Sequence, residues 1–174
     1  MSFDVDSYLT AYESTQGVLP ERLEALGRTY CEQGHLTRDQ LYDLAYATST
    51  RSAYHVEKNP RERCVEVTEN VRAVAGDFSK IQLLTGLHGF KAPTASAVLA
   101  ALDPESHAVV DTRVWASLER LGRLDGRKES FDAGDYVRMI EPIRDIAGET
   151  AHSVAEVGYA LFAADVEQRE GSLH

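Results

Sequence analysis

The sequence predicts an all-α fold, and three observations carry that reading. Apolar residues recur at helical spacing along the whole chain, as in Ala95, Val98, Leu99 and Leu102. No run of residues alternates polar and apolar as a half-buried strand would. Helix punctuation is frequent, with Thr37, Asp111 and Asp132 as N-cap types and Gly34 and Gly122 as stops.

Taken in order, a short first helix is predicted over about residues 6–13. Leu19-Pro20-Glu21 opens a second, with Pro20 suited to a first turn, and it runs to Gly34 as C-cap. Thr37 caps a third through Leu41, Leu44 and Ala45, and a loop follows over 48–59. Asn59-Pro60 starts a fourth, whose Val65, Val67, Val71 and Val74 lead to Gly76. A short helix near 80–86 precedes a glycine turn. The next apolar helix ends at Asp103-Pro104, and another spans 112–121 before Gly122. Asp132 caps a helix carrying Tyr136, Ile140, Ile143 and Ala147, which Pro142 is expected to kink or split. A last helix puts Val154, Val157, Leu161 and Ala164 on one face and frays over 170–174.

At 174 residues, 43% hydrophobic and 26% charged, the chain is read as a single domain spanning 1–174, with enough residues to bury a core. No apolar run reaches the roughly 18 residues that cross a bilayer, so no membrane partner is expected. The acidic start Met1-Ser2-Phe3-Asp4-Val5-Asp6 lacks signal-peptide character, and a cytoplasmic monomer is expected. Cys31 and Cys64 show no CxxC spacing, and the histidines show no HxH or HExxH, so neither a disulfide framework nor a transition-metal site is predicted. The net charge of −10 argues against nucleic-acid binding, which leaves two accounts: the chain does not bind nucleic acid, or local basic residues act inside an otherwise acidic surface. Lys58, Lys80, Lys91 and Lys128 are the only lysines, and many carboxylates with few lysines suit a protein working in high salt.

The chemistry-bearing stretch is Leu87-His88-Gly89-Phe90-Lys91-Ala92-Pro93-Thr94-Ala95, followed sixteen residues after Ala95 by Asp111. A glycine turn opens an apolar helix, and a carboxylate then sits where the next helix begins. This order resembles the hairpin and catalytic aspartate of the helix–hairpin–helix DNA glycosylases, the superfamily of endonuclease III and the adenine glycosylases. That pattern is apolar-x-Gly-apolar-Gly, two residues, then Thr-Ala. Leu87, Gly89, Phe90, Thr94 and Ala95 match it, while Lys91 stands at the second glycine. A competing register takes Gly86 and Gly89 as the two glycines; the first keeps the spacing to Asp111 without a gap. An ordinary glycine turn between packed helices is the plain alternative. Similar closing helices occur in uncharacterised relatives, resembling Tyr136-Val137-Arg138 and the segment from Ala155 to Phe162.

The resemblance implies a two-lobed helical bundle, with a middle lobe at about 35–123 and the terminal helices forming the other lobe. It implies duplex DNA as partner and removal of a damaged or modified base, which must leave the stack to be reached. Asp111 would be the catalytic residue, steadying positive charge on the sugar or activating water; as an N-cap it would also serve its helix, and the two roles are compatible. His88, Gly89, Lys91 and Thr94 would meet a phosphate at the positive helix end, with Arg113 and Arg51 as further DNA contacts. Bifunctional members carry a lysine directly before Thr-Ala; Pro93 stands there, implying water as the attacking group and no strand cleavage. No iron–sulfur cluster is expected, since no cysteine follows Cys64, but a sodium or potassium ion could sit on hairpin carbonyls as in relatives. Trp115 fits the core better than the cleft, and Tyr54 lies beside Arg51. The rival function is a non-catalytic module that kept the fold and binds DNA structure or another protein.

Overall fold

Capping side chains and apolar stripes generate nine α-helices among the described residues of the computed structural model, which are 2–16 and 18–171. They are α1 (Val5–Gln16), α2 (Val18–Gln33), α3 (Arg38–Thr48), α4 (Arg61–Asn70), α5 (Asp77–Thr85), α6 (Ala92–Leu102), α7 (Thr112–Arg120), α8 (Ala133–Thr150) and α9 (Val154–Gly171). Thr37 and Asp132 each close a capping box, with Gln40 and Asp135 bonding back to the cap's N–H. Two short 3₁₀ turns, Ala53–Lys58 and Val71–Ala73, occupy stretches the sequence assigned to loop and to the end of α4. Residues 172–174 of the expected frayed end lie outside the described residues. No helix among the described residues is long and apolar enough to cross a membrane.

Pro142 does not split α8, which runs unbroken from Ala133 to Thr150. Ile140, Ile143 and Ile146 are buried on both sides of the proline, and the packing of that face outweighs the lost backbone hydrogen bond.

The helices gather around two central members. α6 is buried along nearly its whole length, and α2, α3 and α5 pack on it. α9 is the centre of the other group, with α1, α7 and α8 against it. α7 falls within the 35–123 segment expected for the middle lobe yet lies against α9, and α2, outside that segment, lies on α6. The groups meet through α5 and α8. Here Arg144 donates to both Asp77 oxygens, at 2.6 and 3.1 Å, and to the Ser106 carbonyl at 2.8 Å. Beside it His107 Nδ1 and the Tyr136 hydroxyl, both buried, share a hydrogen bond of 2.6 Å.

Candidate active site

The turn between α5 and α6 is built from its apolar residues. Leu87 and Phe90 are buried and anchor it, leaving His88 and Lys91 exposed. The Leu87 carbonyl accepts the Phe90 N–H at 3.3 Å. Gly89 sits between them at φ +86, and a Cβ there would lie 2.8 Å from Val56 Cγ2 and 3.0 Å from the Val56 backbone nitrogen. Only glycine combines that dihedral with so close an approach. Gly86 has φ −67, a helical value open to any residue, so the turn glycine is Gly89.

Sequence reasoning missed the residue that holds this turn. Asn59, buried after the first 3₁₀ turn, accepts the His88 N–H at 2.9 Å and donates from Nδ2 to the His88 carbonyl at 3.0 Å. Lys91 is the N-cap of α6 without a side-chain cap bond, and Pro93 lies in the first turn. Thr94 is buried, with its hydroxyl 3.1 Å from that of Thr48.

Asp111 is the N-cap of α7, accepting the Val114 N–H at 2.9 Å. Its position relative to the hairpin helix is set by Ser96, whose hydroxyl donates to the Pro93 carbonyl at 2.6 Å and accepts the Val110 N–H at 3.0 Å. Gly158 lets the preceding segment close on α9, since a Cβ there would lie 2.8 Å from Ala108 Cβ.

Two hollows meet at Asp111. One is a groove of about 290 Å³ lined by Ser49, Ser52, Lys91, Thr94, Asp111 and Glu129, among others. The other is a cavity of about 210 Å³ between the helix groups, lined by Tyr12, Ala47, Asp111, Tyr159 and Phe162. Asp111, Thr48 and Pro93 belong to both. Tyr12 meets Tyr159 with ring centroids 5.0 Å apart and Phe162 edge-on at 5.7 Å. Burial holds the Asp111 carboxyl above the usual carboxylate range, against the opposing pull of the Val114 and Arg113 N–H groups and the Arg113 charge. The Tyr12 hydroxyl is pushed up to about 12, first by burial and then by the negative charge of Asp111.

The remaining sequence candidates fall elsewhere. Arg113 is drawn to the buried carboxylate of Asp165 at 3.3 Å and lies over the Phe162 ring at 5.5 Å; it does not line the groove. Arg51 is exposed beside Ser49 and Ser52 but is not part of the lining. Trp115 is core, its indole N–H donating to the Gly126 carbonyl at 2.9 Å. The cavity's aromatic residues come from the two ends of the chain. The stretch holding Tyr159 and Phe162 was noticed only as a resemblance, and Tyr12 carries no sequence signal.

These features define an all-α fold in two helix groups, like that of a DNA glycosylase of known structure. Among solved structures the chain is similar to Methanocaldococcus jannaschii 8-oxoguanine glycosylase/lyase, seen in complex with a 15mer DNA containing 8-oxoguanine. The TM-score is 0.54 at 13% identity, over 94% of this chain and 89% of that one. At that identity the likeness establishes the fold. No protein-family model matches the chain, and no curated protein matches it.

Proposed function

We propose that the chain is a DNA N-glycosylase that removes a damaged or modified base from duplex DNA, using Asp111 and water. The observation that carries this reading is the meeting of groove and cavity at Asp111. A nucleotide drawn from the duplex would keep its phosphate in the groove, at the start of α6 and Lys91, and place its base in the cavity. An apolar cavity of about 150 Å³ holds a benzene ring, so about 210 Å³ suits an aromatic ring system with Tyr12, Tyr159 and Phe162 as faces to stack on.

The carboxylate would act as the base departs and positive charge grows on the sugar. A partly desolvated anion stabilises that charge more strongly than a hydrated one, and its raised pKa makes it a better base toward water. Pro93 supports a hydrolytic route without strand cleavage, because no amine stands at that position to attack the sugar. The His88 and Leu87 carbonyls already accept bonds from Asn59 and Phe90, so a monovalent cation there would share oxygens in use.

The second reading, a non-catalytic module, draws on the net charge of −10 and on the ordinary capping bond of Asp111. Incubation with duplexes each carrying one lesion, scored for abasic sites after alkali, separates the two. Excision of at least one base, abolished by Asp111→Asn, is expected. Excision unchanged by that substitution removes the mechanism, and no excision on any lesion, with duplex binding retained, favours the module.

A further inference from the structure

One third of the chain's 18 arginines and lysines converge on one face outside the groove: Arg113, Arg120, Arg127, Lys128, Arg138 and Arg169. Four of them, Arg120, Arg127, Lys128 and Arg169, line an open depression of about 860 Å³ together with Glu119 and Glu129. In a protein of net charge −10 such a concentration of positive charge needs a cause.

The face is held in place from below. Asp165, fully buried on α9, binds three guanidiniums at once, Arg113 at 3.3 Å, Arg120 at 2.7 Å and Arg169 at 2.8 Å. Bound to that carboxylate, Arg113, Arg120 and Arg169 still stay 36%, 42% and 52% exposed. The loop between α7 and α8 is pinned by the Trp115–Gly126 hydrogen bond and by Lys128 on Asp135 at 2.6 Å, while Arg138 lies over the Trp115 ring at 5.1 Å. Arg127, exposed on that loop, makes no ion pair among the described residues. The strip is continuous with the hairpin groove, because Thr112 and Glu129 line both.

We propose that this strip is a second contact for the backbone of duplex DNA, gripping phosphates to one side of the nucleotide held at Asp111. The proposal rests on the reading that the groove takes a duplex. Nine residues of α7 separate Asp111 from Arg120, a rise of about 13 Å. Phosphates of one strand advance about 3.4 Å each along the duplex axis, so a separation of that size spans several phosphates, and the strip would meet backbone beyond the nucleotide held at Asp111. It reads no sequence; it supplies the electrostatic attraction that the acidic remainder of the surface withholds.

The test is the salt dependence of binding to a fluorescein-labelled, undamaged duplex, followed by anisotropy, alongside single-turnover excision at saturating protein. Each lost phosphate contact lowers the steepness of log K against log salt by about 0.9. Arg127→Gln is expected to lower it by about 0.9 and Arg127→Gln/Lys128→Gln by about 1.8, with excision at saturation retained. Arg28→Gln, on the exposed face of α2, is expected to leave the slope unchanged and so controls for net charge alone. Slopes equal to wild type in both strip variants, an equal fall in Arg28→Gln, or no duplex binding by the wild type overturns the proposal. Lowered slopes without excision of any lesion keep the strip and sink the glycosylase reading. Excision with unaltered slopes sinks the strip alone.

Discussion

The Ser96 hydroxyl accepts the Val110 N–H at 3.0 Å and donates its own hydrogen bond to the Pro93 carbonyl at 2.6 Å. One buried side chain therefore fixes the residue before Asp111 against the first turn of the hairpin helix.

Ser96→Ala tests this coupling. It leaves the buried Val110 N–H without its acceptor, at a cost of about 1–3 kcal/mol. Excision is expected to fall at temperatures where denaturant titration still shows the variant folded, because Asp111 moves relative to Lys91 and Thr94. Loss of stability with excision per folded molecule unchanged would refute the positioning role.

Asn59→Ala removes both hydrogen bonds that clamp the His88 peptide, costing about 2 kcal/mol. Asn59→Asp should cost more, since an anion cannot donate to the His88 and Val56 carbonyls that Nδ2 now serves. Urea titration gives the stabilities, and anisotropy on an undamaged duplex gives the binding. Weakened binding in Asn59→Ala, compared at temperatures where it is folded, is expected if the turn holds a phosphate.

Asp111→Asn should separate stability from chemistry. Asparagine caps a helix as well as aspartate does, and it carries no charge to bury. The folded-state pKa of Asp111 lies above the ordinary 3.8, so the folded protein binds this proton more tightly, and stability falls as pH rises between those two values. At neutral pH the ionised carboxylate is therefore a cost, and the variant should be at least as stable as wild type while excision is lost. Their difference should shrink as pH drops below 3.8. A variant markedly less stable at neutral pH would contradict the assignment of burial as the dominant influence.

His107 gives a pH dependence of the opposite sign. Burial, above all, depresses its pKa from 6.5 to about 4, so the unfolded chain takes up the proton first. Its contribution is fully present above pH 6.5 and is lost as pH falls toward about 4, on the order of 3 kcal/mol. Urea unfolding of wild type and His107→Gln across that interval checks it, because the variant should lack this part of the acid sensitivity. Parallel pH profiles would rule out His107 as the source.

The sequence by itself determined where most helices start and stop, because capping and turn chemistry act within about four residues. Thr37, Asp111 and Asp132 cap as their types dictate, and Gly89 takes the left-handed dihedral that its place in the motif requires. It likewise brought forward Asp111, Lys91 and Thr94, which share one groove. Tertiary structure alone decided what that groove opens into. The cavity joins Tyr12 from the first helix to Tyr159 and Phe162 from the last, and no local rule relates residues so far apart in the chain. It decided too that Arg113 answers to Asp165, since a buried carboxylate captures the nearest cations whatever their place in a motif. Pro142 within an unbroken α8 has the same origin: local chemistry forbids it by about 3 kcal/mol, and the burial of the isoleucines around it outweighs that cost.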